Sequence, residues 1–120
     1  EMLRLRTRPG SRFSYSNLGY HLAGMVIERV TGDRYEAWLD ANLLRPLGMT
    51  DSTFAFTTQA DDPRLAMGHF EAGVPAPALP TWLRPAAQFT TTAADMARLA
   101  RFLMGDGMVD GQVLIRADLL

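Results

Sequence analysis

Five of the seven prolines in this 120-residue chain, Pro63, Pro75, Pro77, Pro80 and Pro85, fall in one stretch. Each lacks a backbone N–H and collides with the preceding helical turn, so residues 50–90 cannot hold a long helix. Gly68 and Gly73 add further breaks. Short strands around Thr53–Phe56 and Leu65–Phe70 are the regular structure this stretch admits. A loop of such length inside a compact domain is functional or is packed against something else.

Helices are therefore expected on the flanks. Leu18, Leu22, Met25, Val26 and Val30 recur at helical spacing and predict a helix over about 17–30 with one buried stripe. Ser14 or Ser16 can cap its start, and Gly32 stands where a left-handed C-cap residue belongs. A second helix is expected from the Asp33–Glu36 capping box to Pro46, with Tyr35, Trp38, Leu39, Asn42 and Leu43 on one face. Leu47-Gly48-Met49 reads as a tight packed turn. A third helix starts at Thr92 and Asp95 and runs to about Met104, with Met96, Leu99, Phe102 and Leu103 on its apolar side. Gln112–Ile115 suits a strand, Arg116-Ala117-Asp118 a further helical start, and residues 3–8 an extended segment ended by Pro9-Gly10-Ser11. The expected fold class is mainly α with minor β.

Composition narrows the chemistry. All twelve basic residues are arginine, so no lysine base, Schiff base or P-loop is possible within these residues. The absence of cysteine removes disulfides, thiolate metal sites and a thiol nucleophile. A net charge of −1 gives no overall pull toward nucleic acid. No apolar run approaches the roughly 20 residues that span a bilayer.

The stretch Pro9–Tyr20 carries the chemistry. Tyr15 and Asn17 stand two apart where a turn enters a helix, and in extended backbone residues i and i+2 project to one side. The helix N-terminus favours an anion nearby. A phenol, with an ordinary pKa of about 10, serves as a base near neutrality only beside cations or hydrogen-bond donors. The asparagine amide both donates and accepts. Bare, the triplet is a weak signal and reads first as a buried, satisfied tyrosine followed by a capping asparagine.

The block Pro9-Gly10-Ser11-Arg12-Phe13-Ser14-Tyr15-Ser16-Asn17-Leu18-Gly19-Tyr20, continuing to Gly32, resembles the second conserved element of the β-lactamase-related serine hydrolases. That family includes class C β-lactamases, penicillin-binding D,D-peptidases and carboxylesterases. Arg34–Leu39, Leu44–Ser52 and Pro85–Met96 resemble further family segments in family order. The resemblance covers essentially the whole chain and implies the helical lobe of the α/β β-lactamase/transpeptidase-like fold.

The same resemblance implies a site and a chemistry. Three elements meet in the family's cleft: Ser-x-x-Lys, Tyr-x-Asn and Lys-Thr-Gly or His-x-Gly. Tyr15 would help deprotonate the nucleophilic serine and later protonate the leaving group. Asn17 would hold the lysine and contact the substrate carbonyl, while Ser16 has no catalytic role. The chain is expected to be an internal piece, with the first element before Glu1 and the third beyond Leu120, and to be inactive alone. Its helices would expose apolar surface that the remainder of the parent domain covers. The parent would act on a small-molecule or peptide substrate through a serine acyl-enzyme, opening an ester, amide or β-lactam bond, with no metal or organic cofactor. The competing expectations are a catalytically silent penicillin-binding-like ligand-binding or scaffolding domain, and an unrelated small helical interaction domain. Many relatives carry glycines where this chain has Ala87 and Gln88, which bears on that loop's backbone and its approach to substrate.

Other candidates are weaker. His21 reads as a packed or half-exposed residue of the first helix, and His69 lacks partners for a metal site. Ser11, Ser14 and Ser52 lack a nucleophile elbow. Thr90–Thr92 reads as a helix cap, Asp61-Asp62 as a turn, and Arg4, Arg6, Arg8 and Arg12 as a solvated edge. Trp82 suits either a pocket wall or packing against the helices.

Overall fold

The first helix begins where the serine hydroxyls lead one to look for it. In the computed structural model, which describes residues 7–77, 80–81 and 84–120, α1 spans Asn17–Thr31. Of the two candidate caps, Ser16 is the one used: its Oγ accepts from Gly19 N at 3.0 Å. Gly32 closes the helix at φ 80°, and its amide donates to the Glu28 carbonyl. Residues 3–6 of the expected extended segment lie outside the described residues, as does Trp82.

The second helix departs from expectation. Asp33 does not cap it; the Glu28 carboxylate of α1 instead accepts from Tyr35 N at 3.0 Å. The orphan amide is thus satisfied from the preceding helix, which leaves the local box unused. The α-helical part, α2, covers only Tyr35–Leu39 and continues as a π-helical turn over Asp40–Leu44. In a regular α-helix Leu44 would lie about 140° around the axis from Leu39. The wider turn brings the two together as buried residues, at 1% and 9% exposure. Asn42 leaves the expected apolar face and donates to the Trp38 carbonyl at 2.9 Å. The turn at 47–49 then buries Met49, at 1% exposure.

The proline-rich stretch holds one antiparallel hairpin, β1 (Gly68–Glu71) with β2 (Val74–Ala76), which places His69 opposite Pro75. Thr53 forms an isolated bridge to Thr90 instead of starting a strand. A 3-10 turn follows at Arg84–Ala86, then α3 over Ala93–Leu103, capped by Thr92, whose side chain accepts from Asp95 N. A second hairpin joins β3 (Met108–Val109) and β4 (Gln112–Val113), and a 3-10 turn at Ala117–Leu119 follows. Its two-residue turn has φ 49° at Asp110 and 80° at Gly111, the positive pair of a type I′ turn that Asp-Gly favours. The fold class is mainly α with minor β.

The apolar stripe of α1 is not buried. Leu18, Leu22, Met25, Val26 and Val30 are between 45% and 79% exposed, and Met96 and Leu103 of α3 are also exposed. Leu39, Leu44, Met49 and Phe102 make up the fully buried apolar core among the described residues. The chain exposes 9601 Å², where a compact monomer of this mass exposes roughly 6500 Å². The stripe expected to be buried is thus left uncovered among the described residues.

One close packing does fix α1 against the rest. Gly24 is the buried residue of that helix, and a Cβ built there would lie 2.2 Å from Pro85 Cγ and 2.8 Å from Pro85 Cβ. A pyrrolidine ring has little freedom to yield. Gly24→Ala gains about 1 kcal/mol of helix propensity but forces the turn at Arg84–Ala86 away, an overpacking cost of about 1–3 kcal/mol. The expected outcome is a net loss of about 1 kcal/mol, measured by urea unfolding of the full-length protein. A stabilised variant would show that the Pro85 contact is not made.

Candidate functional site

Tyr15 and Asn17 owe their position to the turn before them and the cap between them. Ser11 N and Ser11 Oγ both donate to the Arg8 carbonyl, at 3.2 and 2.7 Å, closing the turn. Ser16 is extended, at φ −151° and ψ 109°, and its hydroxyl is committed to the helix cap. Tyr15 is 75% exposed and lines an open depression of about 450 Å³ with Phe13, Gly19 and Tyr20. Asn17 opens α1 and is exposed, but does not line that depression. Neither side chain has a hydrogen-bond partner among the described residues.

The loop that leads into α3 packs against α1, α2 and the 53–54 segment. Pro85 sits on Gly24, and Arg84 pairs with Glu36 of α2, whose side chain is 12% exposed. Phe89 stacks on Phe54 with centroids 4.4 Å apart, and Phe54 meets Tyr35 edge to face at 5.5 Å. Burial, and then the charge of Glu36, push the Tyr35 phenol above its ordinary value. Thr53 and Thr90 exchange both backbone hydrogen bonds at 2.9 Å. Between these anchors Gln88 stands at φ 80°. The loop thus takes the left-handed conformation that glycine holds without strain, despite carrying a side chain there. A larger depression of about 770 Å³ opens beside it, bordered by Arg34, Glu36, Phe56, Arg84 and Gln88.

Sequence reasoning missed the buried carboxylate that joins two distant segments. Asp95 was legible only as the partner of the Thr92 cap, yet it is 1% exposed. Its Oδ2 accepts from Asp51 N at 2.9 Å and Ser52 Oγ at 2.8 Å, and its Oδ1 accepts from Arg98 Nη1 at 2.7 Å. Ser52 Oγ also meets Thr91 Oγ1 at 2.8 Å. These bonds fasten 51–53 to the start of α3. Across 44 positions of sequence no pattern announces them.

The remaining candidates are soon placed. His21 is half-buried on α1, and His69 is exposed on β1. Among the described residues no three His, Asp or Glu side chains gather as metal ligands would, and no helix is long and apolar enough to cross a membrane. Ser52 is buried in the Asp95 cluster, and Ser11 serves its turn. Thr90, Thr91 and Thr92 divide three tasks: a bridge, a hydrogen bond to Ser52 and a helix cap.

Comparison with known proteins gives this arrangement its context. The family model described as Beta-lactamase matches residues 2–118. Beta-lactamase-like 1 of Homo sapiens is 43% identical over 102 residues, which are 82% of this chain and 20% of that protein. The D-alanine carboxypeptidase AmpC from Burkholderia cenocepacia superposes with a TM-score of 0.77 at 25% identity, over 93% of this chain and 32% of that one. A class C beta-lactamase in complex with cefoxitin gives 0.74 at 27% identity, over 86% of this chain and 29% of that one. The mostly helical architecture is therefore part of the β-lactamase/transpeptidase fold, and the chain spans about a fifth of the length of the curated relatives it matches. With nearly every residue inside the family match, and Tyr15 and Asn17 at the head of α1, the chain belongs to the Beta-lactamase family.

Proposed function

We propose that the full-length protein is a serine hydrolase and that this segment supplies its Tyr-x-Asn element. The observation that carries the reading is the division of labour at 15–17. Ser16 spends its hydroxyl on the helix cap, while Tyr15 stays exposed beside a depression and Asn17 sits at the positive end of α1. A Ser-x-x-Lys segment preceding Glu1 and a Lys- or His-x-Gly strand following Leu120 complete the cleft.

In the proposed cycle the Tyr15 phenolate takes the proton of the serine hydroxyl as the serine oxygen bonds to the substrate carbonyl carbon. Tyr15 then returns that proton to the departing nitrogen or oxygen as the scissile bond breaks. Water next attacks the acyl-serine, giving its proton to Tyr15, which passes it to the serine oxygen as that oxygen leaves, restoring the hydroxyl and the phenolate. Asn17 donates from its amide nitrogen to the substrate carbonyl, and its amide oxygen accepts from the lysine ammonium. The substrate is an ester, an amide or a β-lactam.

The test is acyl-enzyme trapping. Mass spectrometry of the full-length protein incubated with a β-lactam or a fluorophosphonate is expected to show one covalent adduct on a serine of Ser-x-x-Lys. A parent that binds a penicillin reversibly without an adduct is instead the catalytically silent ligand-binding relative. Residues 1–120 alone lack the acyl acceptor, so the isolated segment is expected to show no serine-dependent turnover of a reporter ester. Measurable turnover that disappears on mutating one of its serines would defeat this reading.

A further inference from the structure

Of the two serines able to cap α1, the chain uses the one between Tyr15 and Asn17, and that choice has a geometric consequence. Ser16 Oγ accepts from Gly19 N at 3.0 Å, with Ser16 extended at φ −151° and ψ 109° and the helix starting at Asn17. Tyr15 and Asn17 therefore flank an extended residue, and side chains two apart in extended backbone leave on the same side. Ser14 is the competing cap: the same spacing of three would carry its hydroxyl to Asn17 N. A helix started there would take in Tyr15 and Ser16. Residues two apart on a helix lie about 200° apart around its axis, so Tyr15 and Asn17 would face opposite ways. The rest of the first turn holds the present start weakly. Its first backbone bond, from Tyr20 N to the Ser16 carbonyl, is long at 3.4 Å, and no acidic residue reinforces it.

We infer that Ser16 is a positioning residue of the hydrolase: its side-chain cap fixes the register at which α1 begins and so keeps Tyr15 and Asn17 on the same side of the chain. Its hydroxyl makes and breaks no bond of the substrate. Any side-chain oxygen that accepts from Gly19 N performs the same task, whereas a side chain without one leaves the start of the helix open to Ser14. The inference rests on the serine hydrolase reading, which gives Tyr15 and Asn17 their roles. The chain also contains its own control. Thr92 caps α3 in the same way, its Oγ1 accepting from Asp95 N at 3.2 Å three residues on, and no site residue flanks that cap.

The experiment compares three variants of the full-length protein. Ser16→Ala deletes the cap, Ser16→Asn supplies an accepting oxygen without a hydroxyl, and Thr92→Ala deletes the matching cap of α3. Active sites are counted by fluorophosphonate labelling. The readout is kcat per active site for a chromogenic cephalosporin or p-nitrophenyl acetate, whichever the wild type turns over. Ser16→Ala is expected to lower it by about fivefold, the equivalent of one lost helix cap, and Ser16→Asn to restore it. Thr92→Ala is expected to lower Tm about as much as Ser16→Ala does while leaving kcat per site at the wild-type value. Wild-type kcat in Ser16→Ala overturns the inference, and so do equal losses of kcat in the two alanine variants, which would make the effect one of stability. A Ser16→Asn variant as slow as Ser16→Ala also overturns it, by placing the hydroxyl itself in the chemistry. Wild-type protein that takes no label and turns over neither substrate fails the hydrolase reading and this inference with it; an active wild type with any of the three overturning results defeats this inference alone.

Discussion

Tyr15→Phe in the full-length protein is expected to lower kcat for acylation by about 10²–10⁴-fold, the range lost with a positioned general acid–base. The substitution deletes one oxygen and keeps the ring. That oxygen has no hydrogen-bond partner among the described residues, and the side chain is 75% exposed, so the fold has little to lose. Melting temperature should stay within a degree or two, about what an exposed substitution costs. Stopped-flow acylation by a chromogenic cephalosporin, with calorimetry on the same sample, separates the two effects. Near-wild-type acylation by the variant would move the base elsewhere and return Tyr15 to a wall residue.

Asp95→Ala is expected to destabilise the full-length protein by about 3 kcal/mol. The mutation strands two donors, Asp51 N and the Ser52 hydroxyl, in a place where the carboxylate is 1% exposed. A buried donor left without a partner costs about 1–3 kcal/mol. Arg98 contributes less, because its own side chain is 48% exposed and can return to water; Arg98→Ala should cost no more than about 1 kcal/mol. Ser52 retains Thr91 as a partner, which keeps the sum toward the lower end. Urea unfolding of both variants checks the ordering. If Asp95→Ala and Arg98→Ala lose equal stability, the exposed ion pair, rather than the buried hydrogen bonds, holds 51–53 to α3.

The Asp95 cluster bears on the site as well as on stability. By fixing 51–53 it fixes Thr53, and through the Thr53–Thr90 bridge it sets the loop that carries Gln88. A loosened Asp95 variant therefore shifts the depression beside Gln88 without touching Tyr15.

Short-range signals in the sequence were reliable because their physics is short-ranged. Ser16 and Thr92 cap helices through amides three residues on, Gly32 ends α1 in the left-handed region, and the prolines keep long helices out of 50–90. The Tyr-x-Asn triplet was legible as a motif at a helix entry for the same reason. The Asp110-Gly111 turn was equally local, and its signature marks a hairpin where a single strand at 112–115 was expected.

Tertiary structure alone decided where distance in sequence hides the partner. Glu28 displaced the Asp33 capping box by reaching Tyr35 from the previous helix, and the π-helical turn brought Leu44, instead of Leu43, into the core beside Leu39. Periodicity named the apolar stripe of α1 but not what covers it, since burial depends on a second surface that the stripe does not encode. Asp95 escapes any local reading for the same reason, because it acquires its partners 43 and 44 residues away. Sequence determined where α1 and α3 begin; the packed chain determined which side chains are held, strained or left exposed.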